Sequence, residues 1–316
     1  IQSGRVAVGL AGGVESLSRP SLSVHPKGEE FFIRLSRARS LGEKLPLLSK
    51  FRLKYLMPQA HSPKEPSTVL TIGQHMELTA QEMKIARELQ DNIALRSHQN
   101  AARAASDGIL GKEIAPLGGV EQDNLIRSET SLEKLAKLRP VFERSEKGTL
   151  TAGNSSPLTD GASAVCLMSE QAAKTHGKEI LAYIEDVRFA AISADDGLLM
   201  APCVALPKLM QANKLTIDDV DFFEVHEAFG AQVAANMQVW ENGWDKPYDM
   251  QPIGRIPEEK LNVLGGSIAI GHPFAATGGR LITTAANALK REDKKRAVIS
   301  VCAAGAMAAA VSLVRD

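Results

Sequence analysis

The stretch RAVISVCAAGA, Arg296 to Ala306, joins an apolar run rich in β-branched residues to a turn of very small ones. Such a run, bounded by a glycine turn, predicts a buried strand with Cys302 at its end. An earlier stretch, RVAVGLAGGVE from Arg5 to Glu15, has the same layout, and aligning the two places Ala11 opposite Cys302. The two stretches therefore indicate an internal repeat in which only the second copy carries a thiol.

Further strands alternate with helices in the rest of the chain. Strand patterns occur in GASAVCLMS around Cys166, AYIEDVRFAAI from Ala182, DFFEV from Asp221 and AVISVC from Ala297. Helical patterns occur in GLLMAPCVALPKLMQANK, in Ala228 to Trp240 and in Thr277 to Arg291, and TIDD at Thr216 to Asp219 has the spacing of a capping box. This alternation predicts an α/β fold built from stacked layers.

A polar, mostly helical region separates the strand-rich parts. It is predicted to hold a helical pair over Thr79 to Asp107, with a capping box at TAQE, Thr79 to Glu82, and a stop at Gly108. We expect residues 1–19 and 149–178 to form the first half of the fold, 20–148 an inserted domain and 179–316 the second half. The first residues predict a helix end, a stop at Gly4 and then a buried strand.

Composition restricts the classes of function. The chain has 316 residues, 44% of them hydrophobic, and equal numbers of basic and acidic residues, 37 of each. No global positive field is available for a nucleic-acid backbone, so nucleic acid is not an expected partner. The three cysteines form no CxxC pair, which argues against structural zinc or a disulfide scaffold and fits a reducing compartment. No apolar run is long enough to predict a membrane span.

Reactive side chains stand at three predicted strand-to-helix junctions. His226 and Glu227 follow DFFEV, His272 follows the glycine-rich GGSIAIG, and Cys302 ends AVISVC. Ligands of open α/β sheets bind outside the carboxyl ends of strands, so these residues can converge. A zincin motif is excluded because Gly230 stands where HExxH needs its second histidine, and no phosphate-loop GxxxxGK is present.

Cys302 permits two interpretations from its surroundings alone. A free cysteine among small apolar residues is commonly an inert part of the core. The same small residues would let backbone N–H groups and a slim substrate approach the sulfur. A cysteine hydrolase that uses Cys302 with His272 is a further, weaker hypothesis, and it predicts that the chain alone hydrolyses thioesters.

Several motifs together resemble the thiolases: GHPFAATG, CAAGA, HEAFGAQ, AGGVES and TAGNSSPLTDGASAV. The likeness extends over nearly the whole chain in the right order. HEAF and KFRLKYLMP resemble the branch that holds the β subunit of the fatty-acid oxidation trifunctional enzyme and its bacterial counterpart. The resemblance implies a layered α-β-α-β-α fold of two similar halves, the first incomplete, with an inserted helical loop domain.

The resemblance also implies an activity. Thiolases cleave a 3-ketoacyl-CoA with CoA into acetyl-CoA and a shortened acyl-CoA, through an acyl-cysteine intermediate, in fatty-acid β-oxidation. By resemblance Cys302 is the acid/base, and the backbone N–H of Ala304 points into an oxyanion hole. His272 activates the nucleophile and holds the enolate oxygen, while His226 orients a water or contacts that oxygen.

Binding residues and ligands follow from the same resemblance. Ser156 and Phe229 match positions along the channel for the CoA pantetheine, and Glu227 is expected to brace its loop. CoA is a substrate, so neither a cofactor nor a metal is expected. A homodimer is expected, with a hydratase/dehydrogenase α subunit as a candidate partner, in the cytoplasm or alternatively in mitochondria.

One feature departs from the resembled pattern. The nucleophilic cysteine of thiolases precedes the segment that matches Ile1, so this chain is expected not to turn over. Cys166 is predicted to lie in the core and Cys203 in a loop, and neither matches the nucleophile. The alternative hypothesis is a non-catalytic remnant that keeps the fold in order to assemble with a partner.

Residues 31–57 form a basic, amphipathic segment in the inserted region. Seven basic side chains are spread among its leucines and aromatic residues: Arg34, Arg37, Arg39, Lys44, Lys50, Arg52 and Lys54. Such a pattern indicates either a solvated helix face or a peripheral contact with an anionic lipid surface or an acidic partner.

Overall fold

The computed structural model describes residues 1–19, 22–60, 64–245 and 247–315. The chain divides into two compact units, a larger one of residues 1–15 with 64–316 and a smaller one of residues 16–63. The predicted domain boundary at residue 20 falls outside the described residues, and the boundaries at 148 and 178 stay predictions.

Strands and helices occur in both units. The described strands are β1 (Val8–Glu15), β2 (Leu22–Val24), β3 (Pro58–Ala60), β4 (Gly161–Met168), β5 (Tyr183–Ala191), β6 (Phe222–Val225), β7 (Arg296–Ala303) and β8 (Met307–Val314). The described α-helices are α1 (Pro26–Arg37), α2 (Leu41–Leu48), α3 (Ile72–Glu82), α4 (Arg87–Ser106), α5 (Leu132–Ala136), α6 (Glu170–Thr175), α7 (Pro202–Ala212), α8 (Gly230–Asn242), α9 (Ser267–Ile270) and α10 (Thr277–Arg291). Of these elements, β2, β3, α1 and α2 belong to the smaller unit.

The main sheet has the strand order β5-β8-β7-β6. β6 and β7 run parallel, with Val225 opposite Ser300, while β8 is antiparallel to both β7 and β5. One face of the sheet packs against α10 around Leu281 and Ile299, and the other packs against α7 and α8 around Leu206 and Phe223. Both faces are covered, which is why β7 reads as a nearly continuous apolar run, whereas β6 contains the buried Glu224.

Strand β8 was not predicted. Its sequence, MAAAVSLV, contains three consecutive alanines, which have a low strand propensity, so the apolar run gives no clear period. The chain reverses from β7 to β8 through a turn in which Gly305 and Ala306 have positive φ angles of 79° and 54°. The turn places Ala304 on the surface, directly after the end of β7.

β1 and β4 form a separate two-stranded antiparallel sheet, with Leu10 opposite Cys166. One face packs on the start of α10, so closely that a Cβ at Gly279 would lie 2.3 Å from Oγ of Ser163. The other face is open: Leu10 is 79% and Val14 74% exposed, and Cys166 is exposed as well. The predictions of a buried first strand and of a core position for Cys166 were therefore wrong.

Layers of helices and sheets alternate through the larger unit, as predicted. Helices α7 and α8 cover one face of the main sheet, α10 lies between the two sheets, and β1 and β4 form the next layer. Cys203 was predicted to lie in a loop, but it lies in the first turn of α7 and is fully buried. The helix starts at Pro202, because the first helical position needs no backbone N–H and therefore accepts proline.

The helical pair was placed correctly, but its start was not. The capping box lies at Thr71, whose Oγ1 accepts from the N–H of Gln74 at 3.2 Å, and Thr79 lies inside α3. Gly108, with φ of 69°, follows α4 as predicted. The predicted box at Thr216 is present on a short 3₁₀ turn, with the Thr216 N–H donating to Asp219.

The smaller unit has a core of aromatic rings. Phe31 on α1 is 8% exposed, and its ring centroid lies 5.1 Å from that of Phe51 and 6.3 Å from that of Tyr55. A Cβ at Gly28 would lie 2.4 Å from the Tyr55 carbonyl oxygen, so only glycine permits this approach. No helix in the described ranges is both long and apolar enough to cross a bilayer.

Candidate active site

Two of the predicted reactive residues lie at the same edge of the main sheet. β6 ends at Val225, and the next residue, His226, donates its backbone N–H to the Ser300 carbonyl of β7 at 2.8 Å. Cys302 lies two residues further along β7. The parallel pairing of β6 and β7 brings these positions together, because the carboxyl ends of parallel strands meet at one edge.

His272 reaches the same edge from the loop between α9 and α10. Gly271 before it has φ of 114°, and a Cβ there would lie 2.6 Å from a side-chain carbon of Thr159. The backbone N–H of His272 donates to the Pro157 carbonyl at 3.1 Å. As a result the His272 ring packs against the His226 ring, with 4.2 Å between centroids and 49° between planes.

Each imidazole has a hydroxyl partner. Nδ1 of His226 lies 3.0 Å from Oγ of Ser267, and Nδ1 of His272 lies 2.7 Å from Oγ1 of Thr277. His226 is 1% exposed, and its Nε2 has no hydrogen-bond partner among the described residues. Nη2 of Arg280 donates to the same Ser267 oxygen at 2.9 Å, so a permanent positive charge lies behind the pair.

Burial sets the protonation states of the site. It lowers the pKa of His226 well below its usual value, with further contributions from His272 and Arg280. It lowers the pKa of His272 to about 4, and the charge of Arg280 acts in the same direction. Burial also raises the pKa of the Cys302 thiol to about 12. At neutral pH the site therefore holds two neutral imidazoles and a protonated thiol.

Cys302 is 7% exposed and packs in the apolar core that includes Ala308 and Phe229. The structure brings the two histidines into contact, but in the described part of the chain the sulfur makes no hydrogen bond to either ring. Ala304 lies in the exposed turn after β7.

The predicted CoA-channel residues flank the histidines. The half-buried Ser156 donates its backbone N–H to the Ala228 carbonyl at 2.9 Å. Phe229 is the N-cap residue of α8, and its ring packs edge-on against that of Phe142. The segment that contains Ser156 continues to Pro157, which accepts from the N–H of His272. Both positions are therefore joined by backbone contacts to the loops that carry His226 and His272.

Glu227 is a structural brace, as predicted. Its Oε2 accepts from Oγ of Ser97 at 2.6 Å and its Oε1 from Nδ2 of Asn262 at 2.7 Å. The N–H of Ile268 donates to the same carboxylate at 3.3 Å. These bonds tie α4, α9 and the end of β6 into one rigid support beneath the imidazoles.

Sequence reasoning missed the polar residues behind the histidines. Ser267, Thr277 and Arg280 carry no motif of their own, and only the fold shows that they face the rings. Glu224, two residues before His226, is fully buried, and neither carboxylate oxygen has a hydrogen-bond partner among the described residues. The alternation of β6 was the available signal, because it places Glu224 and His226 on one face.

Comparison with known proteins identifies the family. The family model for the thiolase N-terminal domain matches residues 1–171, and that for the C-terminal domain matches residues 178–315. The chain belongs to the thiolase family. The resemblance seen in the sequence motifs and the predicted layered fold are both confirmed.

Among curated thiolases, the chain is 43% identical to the 3-ketoacyl-CoA thiolase of Pseudoalteromonas translucida, with 99% of this chain and 74% of that protein aligned. It is 41% identical to the 3-ketoacyl-CoA thiolase of Colwellia psychrerythraea, over 100% of this chain and 74% of that protein.

Solved thiolase structures share the fold. Human mitochondrial 3-ketoacyl-CoA thiolase in complex with CoA superimposes with a TM-score of 0.78 at 29% identity, covering 99% of this chain and 72% of that one. The acetyl-CoA acetyltransferase of Bacillus anthracis gives a TM-score of 0.77, also at 29% identity, covering 99% of this chain and 73% of that one.

Proposed function

We propose that this thiolase is a 3-ketoacyl-CoA thiolase, an acetyl-CoA C-acyltransferase that cleaves 3-ketoacyl-CoA with CoA in fatty-acid β-oxidation. The observation that carries the proposal is the pair of desolvated, neutral imidazoles of His226 and His272 beside the strand that bears Cys302. The relatives named 3-ketoacyl-CoA thiolase, at 40 to 43% identity, support the substrate class. CoA is a substrate, and the proposal includes no cofactor or metal.

Cys302 is proposed as the proton carrier of this reaction. In cleavage, the acyl-accepting thiol adds to the β carbonyl carbon and the bond between the α and β carbons breaks. The acyl group stays on that thiol, and the acetyl-CoA enolate takes the proton from Sγ of Cys302. In condensation the thiolate takes it back. The high pKa of the buried thiol favours the donor form at neutral pH. The small residues after it leave room for the acetyl group, and the N–H of Ala304 is proposed as an oxyanion donor.

Neither of the other cysteines is assigned as the acyl acceptor. Cys166 lies on the open face of β4, away from the histidines. Cys203 is enclosed in α7, where it accepts a hydrogen bond from Asn236 at 3.2 Å and burial raises the pKa of its thiol. His272 is proposed to activate the nucleophile and His226 to contact the thioester oxygen, with Ser156 and Phe229 along the CoA channel.

The test is the exchange of acetyl-CoA methyl protons with deuterated water, followed by mass spectrometry. This step needs the proton carrier and the oxyanion donors but no acyl transfer. We expect the wild-type chain to exchange these protons. The exchange should be lost in Cys302→Ser and in His272→Ala but kept in Cys166→Ser. Exchange that survives Cys302→Ser would contradict the assignment. Bound acetyl-CoA without exchange would favour a non-catalytic remnant, and released free CoA would favour a thioester hydrolase.

Partner contacts are proposed from two exposed apolar surfaces. The open face of β1 and β4 supports association with a second copy of the chain, and a hydratase/dehydrogenase α subunit remains a proposed partner.

In the smaller unit Leu41, Leu45 and Leu53 are 78%, 63% and 80% exposed among the basic side chains, which supports peripheral membrane contact through residues 31–57. The proposed compartment is the cytoplasm, with mitochondria as the alternative.

A further inference from the structure

The hydrogen bonds around Ser267 determine which nitrogen of His226 carries the hydrogen. Oγ of Ser267 lies 2.9 Å from Nη2 of Arg280 and 3.0 Å from Nδ1 of His226. A guanidinium only donates, so Oγ accepts from Arg280. The hydroxyl hydrogen then remains to be donated, and Nδ1 of His226 is its acceptor among the described residues. A neutral imidazole that accepts at Nδ1 carries its hydrogen on Nε2.

The same reasoning gives the opposite result for His272. Oγ1 of Thr277 lies 3.1 Å from the Pro273 carbonyl oxygen, which only accepts, so the hydroxyl donates its single hydrogen there. Oγ1 must then accept from Nδ1 of His272, at 2.7 Å. His272 therefore carries its hydrogen on Nδ1, and its Nε2 presents a lone pair.

Both assignments require neutral rings. Burial lowers the pKa of each histidine, that of His272 to about 4, and the charge of Arg280 opposes an imidazolium at either position. The two centroids are only 4.2 Å apart, so two positive rings would also repel each other at close range.

We propose that His226 and His272 are held in opposite tautomers, His226 by Ser267 with Arg280 and His272 by Thr277. Ser267, Arg280 and Thr277 are thus positioning residues. His226 presents an N–H donor and His272 an acceptor, so one ring is suited to bind an oxygen and its neighbour to take a proton. Nε2 of His226 is buried without a partner among the described residues, which leaves this donor for a ligand oxygen. The tautomer assignment does not depend on the proposed function. Only the statement that the ligand oxygen at Nε2 of His226 belongs to a thioester rests on it.

Nitrogen-15 NMR of the full chain tests the proposal without any assay of activity. Two-bond proton–nitrogen spectra of histidine-labelled protein at about pH 7 distinguish the two neutral tautomers and the imidazolium. His226→Asn and His272→Asn assign the signals by their loss. The expected spectrum shows a hydrogen on Nε2 of His226 and on Nδ1 of His272. A shared tautomer, an exchange-averaged pair or a charged ring at this pH would overturn the proposal.

Two variants and a matched control test the positioning residues Ser267 and Thr277. Ser267→Ala should remove the tautomer preference of His226 but not that of His272, and Thr277→Val should do the reverse. The matched control is Thr68→Val, because Oγ1 of Thr68 lies 2.6 Å from Nε2 of His75 elsewhere in the larger unit. It should alter only the His75 signal.

An unchanged His226 pattern in Ser267→Ala would remove Ser267 from the proposal. Should a variant fail to fold, the wild-type spectrum still decides the tautomers. If the two histidines have opposite tautomers but the chain does not exchange the methyl protons of acetyl-CoA, only the proposed function is contradicted. The spectra and the exchange assay therefore distinguish a failure of the tautomer proposal from a failure of the proposed function.

Discussion

Glu224 illustrates how a single buried side chain makes stability depend on pH. Burial raises its pKa to about 8; Arg280 partly opposes this shift, while Glu227 and Glu113 add to it. The carboxyl is therefore protonated when folded and ionised when unfolded across the neutral range. The stability that depends on a protonated Glu224 is fully present at pH values below the pKa of the unfolded chain. It is lost as the pH rises to about 8, the pKa of the folded chain.

Glu224→Gln should remove this pH dependence. Between about pH 7 and about pH 8 the free energy of unfolding of the wild type should fall by about 1 kcal/mol more than that of the variant, since one pKa unit corresponds to about 1.4 kcal/mol. The two histidines contribute little in this window, because their lowered pKa values keep them neutral in the folded state, and the ordinary pKa of about 6.5 leaves them mostly neutral in the unfolded state. Urea titrations at several pH values measure the difference.

The control for this prediction is Glu259→Gln, which alters an exposed carboxylate. It should leave the pH profile of the wild type unchanged. Parallel profiles for wild type and Glu224→Gln would show that Glu224 is ionised in the folded state.

At the scale of the elements, the support of the site depends on close approach between α4, α9 and the end of β6. A Cβ at Gly266 would lie 2.2 Å from the carboxyl carbon of Glu227, which is held on both oxygens by Ser97 and Asn262. Gly265 before it has φ of 84° and lies against α4. The pair of glycines therefore permits the loop to lie directly on the helix.

Gly266→Ala should destabilise the fold by about 2 kcal/mol or more, because the carboxylate cannot move without losing its partners. The matched control is Gly278→Ala, in the first turn of α10, where a Cβ meets no atom within 4 Å. That change should be neutral or stabilising by up to about 1 kcal/mol.

Thermal unfolding of both variants gives the comparison. In a Glu227→Ala background the added methyl group has room, so Gly266→Ala should cost less there than in the wild type. An equal cost in the two backgrounds would mean that the clash with Glu227 is not the cause.

At the scale of the whole molecule, the face of the β1–β4 sheet that points away from α10 is exposed. Leu10 and Val14 lie on this face with Gly12 between them, and Cys166, Ala164 and Ala162 lie opposite these three residues on the neighbouring strand. Exposed apolar patches of this kind are typical of association surfaces. The predicted homodimer is expected to use it.

Leu10→Asp should therefore weaken self-association without unfolding the chain, since the side chain is exposed in the single copy. Sedimentation velocity at micromolar concentration measures the effect. Leu117→Asp is the matched control, because Leu117 is 81% exposed outside this sheet. A dimer that persists in Leu10→Asp, or a wild-type chain that is monomeric, would contradict the assignment.

Much of the fold could be predicted because its signals are local. Thr277 to Arg291 was predicted as a helix to the residue, and the four predicted strands after Gly148 are all present. β8 was missed because its alanine-rich run carries no period, and the start of α3 was misplaced because two Thr-x-x-Gln/Glu spacings lie close together. The exposure of Cys166 depends on which elements pack on β4, and the sequence around Cys166 does not indicate this.

By itself, the sequence determined the family, the alternation of strands and helices after Gly148 except for β8, and the residue types of the site, because periodicity, turn residues and motifs are properties of neighbouring residues. Only the tertiary structure decided that His226 and His272 are in contact, that Ser267, Thr277 and Arg280 lie behind them, and that Glu224 is buried without a hydrogen-bond partner among the described residues. These facts depend on burial and on hydrogen bonds between distant parts of the chain. Those in turn set the pKa values and the tautomers.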